Sequence, residues 1–458
     1  METTQLLTLS EVSKMLKVHP NTLRQWDNNG SLPAIRFGVR KIRRYRGKDI
    51  ESFIKRNHLP VNTKRYMKKE DKTHEYMDIT QHEIEALKRL YNLADAHTHQ
   101  SQSKSQQENI VDNLPALWGE AEQTRQVDME DKFMREFFRV AKQEEIFEGS
   151  RPLLVYASSI AMVMVANYLM KKNMTVALIE PCFDNIHDIL AHMNIPMQPL
   201  REEWLQDPKN LYENLKQHIT SDAIFIVDPN NPTGSTLFSH GDKAYKELIR
   251  FALDHNKLLL FDFCFAPFVD TAVDVEVPSV YKLLNESGVS YVAIEDTGKI
   301  WPLQDTKVAM LKASSDIYSE IYDIHTAYLL NVSPFILNLV TQYVLDSEKD
   351  NFDSVYNLLD TNREVVKQSL DGSLLEYIEP QARVSVAWFK IRNPKIKATA
   401  LQKHIVDTKE VYVLPGTYFF WSDPSRGESY IRVALARDTK MFSEAISRLS
   451  EALENYPE

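Results

Sequence analysis

Along this chain, side chains able to do chemistry stand just after apolar runs. Ser158 and Ser159 follow PLLVYA (152–157), and Pro181, Cys182 and Phe183 follow MTVALIE (174–180). The run AIFIV (223–227) leads into the turn VDPNNPTG (227–234), where Asn231 precedes Pro232. Asp262 closes KLLLFDF (257–263), and Lys299 lies in EDTGKIWPLQDTK (295–307), just past YVAIED (291–296). Each type suggests a task. A lysine amine adds to a carbonyl carbon. A carboxylate at the end of a buried strand is costly without a partner. Hydroxyls and free N–H groups at a helix start suit a phosphate.

The elements that must hold these residues are strands alternating with helical stretches such as SSIAMVMVANYLMKK and HGDKAYKELIRFALDHN. That alternation predicts an α/β fold, a mainly parallel sheet flanked by helices. Ligands on such a sheet lie beyond the carboxyl ends of its strands, where these residues fall. Together they meet the needs of pyridoxal 5'-phosphate: a lysine for its aldehyde, an acid for its ring nitrogen, a ring to stack on, a donor to its phenolic oxygen and a phosphate cup.

The ordered set SS, PCF, NNPTG, DFCF and GK resembles the class I/II aminotransferases of PLP fold-type I, over about residues 110–458. The resemblance implies Lys299 and Asp262 as catalytic residues and a cofactor site of Ser158, Ser159, Phe183, Asn231, Asp262, Thr297, Lys299 and Lys307. Lys299 takes the imine-forming position, Asp262 that of the ring-nitrogen partner, Asn231 the donor to the ring oxygen and Phe183 the stacking ring. The C-terminal SYIRVALAR resembles the strand whose arginine, here Arg432, pairs with the substrate α-carboxylate. A large domain (111–340) and a smaller C-terminal α+β domain (341–458) follow from it.

The chain departs from that pattern in places. Lys307 stands for the phosphate-gripping arginine, without a bidentate fork. Asp296 replaces a serine and would repel phosphate if it pointed inward, with Thr297 as substitute. Phe265 replaces a tyrosine that donates to the ring oxygen. The segment ahead of Ser158 is short and lacks the family's glycine-tyrosine region. These departures keep eliminations and oxygen-dependent oxidations open beside transamination.

Residues 1–69 carry 16 Lys and Arg against 5 Asp and Glu, inside a chain of net charge −10. Such an asymmetry marks a part suited to a polyanion. LSEVSKMLKVHPNTLRQWDN (9–28) predicts two helices across a tight turn, the first capped by Ser10 and the second starting at Asn21 or Thr22. A basic hairpin around Gly38 follows, then a third helix from Asp49. The succession resembles the MerR/excisionase winged helix-turn-helix over residues 6–57. It implies DNA contacts from Asn21, Thr22, Arg24 and Gln25 and from the wing residues Arg40, Lys41, Arg43 and Arg44, in a homodimer.

Between the parts (70–110), Ile84, Leu87, Leu90 and Leu93 space an amphipathic helix over 81–97, and HTHQSQSKSQQEN (97–109) reads as a polar tether with solvated His97 and His99. With 2 cysteines, no metal-ligand spacing, no secretory leader and no apolar run near the roughly 20 residues of a membrane helix, a cytoplasmic protein without a metal is expected. The expected function is an amino-acid PLP enzyme, an aminotransferase, on a DNA-binding head. The alternatives are a PLP-sensing transcription regulator and a PLP-dependent oxidase or lyase.

Overall fold

The computed structural model describes residues 6–16, 18–37, 42–46, 49, 50, 53, 79–269 and 277–457. The chain forms two compact units, Met1–Tyr76 and Met77–Glu458.

In the first unit, Thr8 and Glu11 form a reciprocal cap on the helix Leu9–Leu16: the Glu11 N–H donates to the Thr8 hydroxyl and the Thr8 N–H to the Glu11 carboxylate. Thr8, rather than Ser10, therefore starts that helix. The second helix, Pro20–Asn28, begins earlier than expected, because Pro20 suits the first turn and the His19 ring accepts from the Asn21 N–H. Strands β1 (Leu6–Thr8), β2 (Ile35–Phe37) and β3 (Ile42–Arg46) form an antiparallel sheet in the order β1-β3-β2. Val12, Leu16, Leu23, Leu32, Tyr45, Ile50 and Phe53 close a small core. Most of the third helix, the hairpin tip and the wing residues Arg40 and Lys41 lie outside the described residues.

The second unit is built on seven strands: β5 (Leu153–Val155), β6 (Val176–Glu180), β7 (Met197–Arg201), β8 (Ala223–Val227), β9 (Leu258–Asp262), β10 (Tyr291–Asp296) and β11 (Ala309–Ala313). Their order is β5-β11-β10-β9-β8-β6-β7. The run from β10 to β7 is parallel, whereas β11 is antiparallel to both its neighbours. Helices cover both faces, so β6, β8, β9 and β10 are buried throughout and read as unbroken apolar runs. Polar residues hid β7 and β11 from the pattern. Lys312 in β11 is buried, donates to the Glu148 and Ser150 carbonyls, and has its pKa lowered by burial to about 8.

Four antiparallel strands form a second sheet in the order β12-β13-β16-β15: β12 (Leu375–Ile378), β13 (Val386–Ile391), β15 (Leu414–Pro415) and β16 (Tyr430–Ala434). Between them, β14 (Val411–Tyr412) pairs in parallel with β4 (Tyr91–Asn92). Among the described residues, no helix is long and apolar enough to cross a membrane.

The stretch expected to join the parts belongs largely to this second unit. Its helix is Ile79–Ala86, and the buried side is Ile79, His82, Glu83 and Ala86. The expected apolar face is turned out: Ile84, Leu87 and Leu90 are 54%, 59% and 75% exposed, and Leu93 alone is buried. The polar face packs inward because it finds polar partners, the His82 ring lying 2.7 Å from the Tyr412 hydroxyl and 3.1 Å from that of Tyr418. The expected tether is likewise docked. Thr98 donates to the Trp301 carbonyl at 2.5 Å and Gln102 to that of Pro302 at 2.7 Å. Ser103 and Gln106 cap each other on the helix Lys104–Asn109. A polar segment can be held by hydrogen bonds as firmly as an apolar one by burial, and composition does not distinguish it from a solvated one.

Candidate active site

The turn after β8 divides its asparagines between two tasks. Asn230 is structural: its amide donates to the Pro181 carbonyl at 2.8 Å and to Glu202 at 2.6 Å. Gly234 closes the turn at φ +69°, where a Cβ would lie 2.4 Å from the Pro380 side chain, so only glycine fits. The chain reversal leaves Asn231 at the end of the sheet.

There a cavity opens, lined by Ser158, Ser159, Phe183, Asn231, Asp262, Lys299 and Lys307. Residues from the ends of separate strands thus meet at one place, and the Lys299 ammonium lies 5.8 Å from the centroid of the Phe183 ring. Phe265 and Cys264 also line it. Thr297 does not: it is fully buried, and its hydroxyl donates to the Val308 carbonyl at 2.9 Å and accepts from the Val308 N–H, closing the base of the lysine loop.

Asp262 is buried, its carboxylate accepting from the Cys264 N–H at 2.9 Å. Burial raises its pKa to about 6; hydrogen bonding from Cys264 and the charge of Lys299 oppose this, and Asp296 adds to it. This is a carboxylate short of a cation, which a protonated ring nitrogen supplies. The residues present therefore fit pyridoxal phosphate.

Arg432 on β16 is fully buried and does not line the cavity, but it bonds to Asn231, which does. Its guanidinium donates to the Asn231 amide oxygen at 3.1 Å, to Glu83 at 3.2 Å and to the Ala94 carbonyl. A carboxylate of the chain itself thus lies on the arginine expected to hold a substrate carboxylate.

The segment around residue 95 supplies side chains that composition did not single out. The Asp95 carboxylate accepts from His97 at 2.6 Å and from His99 at 2.5 Å. Burial opposes its charge, yet those bonds hold its carboxyl far below the usual range. Nε2 of His97 lies 3.1 Å from the Lys307 ammonium, so the network assigns the His97 proton to Nδ1, facing Asp95. His97 and Glu83 line both this cavity and an adjoining one that Asp95 also borders. His97, expected to be solvated, lines the cavity. One signal was available in SYIRVALAR: its second arginine, Arg437, donates to the Asn92, Asp95 and His97 carbonyls at 2.7, 2.6 and 3.0 Å and holds that backbone in place.

In the head, Asn21, Arg24 and Gln25 are exposed on the second helix and Thr22 is half-buried. Arg43 is engaged at home, its Nε 2.5 Å from Asp27, which also binds Arg36 at 2.7 Å. Burial of Asp27 opposes its charge, but the Ala34 N–H and these arginines lower its pKa. Arg44, on β3, is half-buried and its guanidinium donates to the Arg43 carbonyl.

Sequence comparison matches residues 124–449 to the profile of the class I and II aminotransferases. The chain belongs to that family. Residues 6–58 match a helix-turn-helix domain. Among curated relatives, the aspartate aminotransferase of Pyrococcus horikoshii is 25% identical over 262 residues, covering 56% of this chain and 63% of that protein. An LL-diaminopimelate aminotransferase of Halothermothrix orenii is 25% identical over 266 residues with the same coverage. The chain therefore spans about three-fifths of the length of these relatives. Among solved structures, that of MppP soaked with the product 2-ketoarginine is 30% identical, with TM-score 0.71, covering 79% of this chain and 99% of that one. The Thermus thermophilus aspartate aminotransferase with maleate shares the fold at TM-score 0.66 and 13% identity, over 83% and 97% of the two chains.

Proposed function

We propose that this aminotransferase-family chain is a cytoplasmic, homodimeric PLP-dependent enzyme acting on a basic amino acid of the arginine kind and yielding its 2-keto acid, with a MerR-type head that binds DNA. The observation that carries the reading is the convergence of Lys299, Asp262, Asn231 and Phe183 on one cavity. Lys299, Asp262, Asn231, Phe183, Ser158, Ser159 and Lys307 would hold the cofactor. When bound, pyridoxal phosphate supplies an aldehyde for the substrate amine and a cationic ring that takes up electron density from the α-carbon.

The rest is done by the protein. Arg432 binds the α-carboxylate through its fork. Lys299 takes the α-proton at Nζ and returns it. Asp262 stays anionic so that the ring nitrogen keeps its proton. Support for a cationic side chain comes from Glu83 on Arg432 at 3.2 Å. A substrate bearing both a carboxylate and a guanidinium can satisfy the two partners at once, each exchanging an internal partner for an external one. The structure of MppP soaked with the product 2-ketoarginine points to the same class.

Transamination is the first reading, because the curated relatives are aminotransferases. Oxidation by dioxygen is the second. Phe265 lines the cavity where a tyrosine would donate to the ring oxygen, and fewer donors leave the ring more electron-rich. Keto-acid yield from a panel of amino acids, with and without a 2-keto acceptor and with oxygen uptake recorded, tests both. Arginine should head the panel. Yield that depends on the acceptor supports transamination, and yield with oxygen uptake alone supports oxidation. No keto acid from any amino acid overturns both. A gel shift with DNA from around the coding region tests the head.

A further inference from the structure

The helix Ser158–Lys172 opens on the cavity with no side chain of its own capping it. Asp296, which stands three residues before Lys299, takes that place from the end of β10. Its Oδ2 accepts from the Ser158 N–H at 2.9 Å and its Oδ1 from the Gly298 N–H at 2.5 Å. It is 3% exposed and lines the cavity. The fit around it is tight: a Cβ on Gly298 would lie 2.9 Å from Asp296 Oδ1 and 2.6 Å from Lys307 Cδ. A carboxylate therefore sits among the N–H groups and hydroxyls that make up the phosphate cup.

Resting on the cofactor reading above, we infer that Asp296 makes this protein hold the cofactor's phosphate as the protonated monoanion, with one proton shared between a phosphate oxygen and the Asp296 carboxylate. A dianionic phosphate beside a carboxylate is a contact of like charges, and two acids in one site cannot both ionise fully. One proton taken from solvent on binding converts that repulsion into a short charge-assisted O–H···O bond. The total charge of phosphate plus carboxylate becomes −2 instead of −3. The surroundings favour the smaller charge. The cations lining the cavity with Asp296 are Lys307 and Lys299, Lys307 being shared with His97 at 3.1 Å and with Asp305 at 3.7 Å, while Asp262 on β9 adds negative charge. Lys307 offers a point charge where a guanidinium would grip two oxygens.

A free phosphomonoester loses its second proton near pH 6, roughly. In this site the shared proton should persist well above that. The test is the ³¹P resonance of pyridoxal phosphate bound to the full-length protein, followed from pH 6 to pH 9 beside cofactor affinity. The wild-type resonance should stay at the monoanion position through about pH 8; affinity should fall about tenfold per pH unit from about pH 6 to about pH 8, where binding takes up the proton, and level off once the bound proton is lost. Asp296→Asn should move the resonance to the dianion position and bind the cofactor at least about tenfold more tightly at pH 8. Asp296→Ser is the second variant should the first not fold. A dianion resonance in the wild type, unchanged across the range and equal to the variant's, overturns the shared proton while leaving the cofactor site standing. Failure of the wild type to bind pyridoxal phosphate, or to retain it on Lys299 after borohydride, overturns the cofactor reading and this inference together.

Discussion

The two units of the chain solve positioning in opposite ways. The head places its exposed Asn21, Arg24 and Gln25 on one nine-residue helix, so the side chains proposed to read DNA are neighbours in sequence. Its core is a single cluster around Val12, Leu23 and Tyr45. The body gathers Glu83, His97, Asn231, Asp262 and Lys299 at one cavity, with Arg432 bonded to Asn231, from positions hundreds of residues apart. A local site is cheap to build but has little beneath it; a dispersed one draws its precision from a large core.

Breaking the body should leave the head intact. Lys299→Ala removes the amine proposed to move the α-proton, and turnover should fall by roughly 10²–10⁴-fold from that step alone. The visible band of lysine-bound cofactor should vanish too. DNA affinity should not change, and a joint loss would mean that the units do not act separately. Breaking the head is the converse. Leu23 is wholly buried in the small cluster, so Leu23→Ala should cost about 2–5 kcal/mol. Calorimetry should register that loss in the head's transition and none in the body's.

A smaller effect is expected from pH. The Asp262 carboxyl, raised by burial from its ordinary 3.8 to about 6, prefers to be neutral in the cofactor-free protein. Its contribution to folding is therefore complete below the ordinary carboxylate range and is lost as pH rises through about 6. Cofactor binding needs the anion, so affinity should drop by up to about tenfold per unit as pH falls below about 6. Titration of the cofactor-free protein checks this, and Asp262→Asn should abolish the dependence along with most of the affinity. The smallest effect sharpens the head. Arg44→Ala should lower the slope of log affinity against log salt by about 1 without altering sequence preference. A change of preference would place Arg44 on a base edge instead of a phosphate.

What could be read in advance follows the same division. Strands β6, β8, β9 and β10 were visible because burial on both faces demands unbroken apolar runs. The residues at their ends were visible because a parallel sheet directs ligands there. The segment 79–109 was misjudged. Its inward face is Ile79, His82, Glu83 and Ala86, in helical register but half polar, and hydrophobic periodicity cannot see a polar face that packs on tyrosines and a buried arginine. His97 appeared solvated for the same reason, since nothing local announces that Arg437 will hold its backbone.

By itself the sequence determined the buried parallel strands, the turn at Gly234 and the chain order in which an asparagine, an acid and a lysine follow successive strands. These are local matters, set by backbone sterics and by which runs must avoid water. Only the tertiary structure decided which donor each carboxylate faces: Glu83 on Arg432, Asp95 on His97, and Asp296 on the N–H groups of Ser158 and Gly298. Electrostatic partnership depends on distance in space and on burial, and neither is recorded in the spacing of residues along a chain.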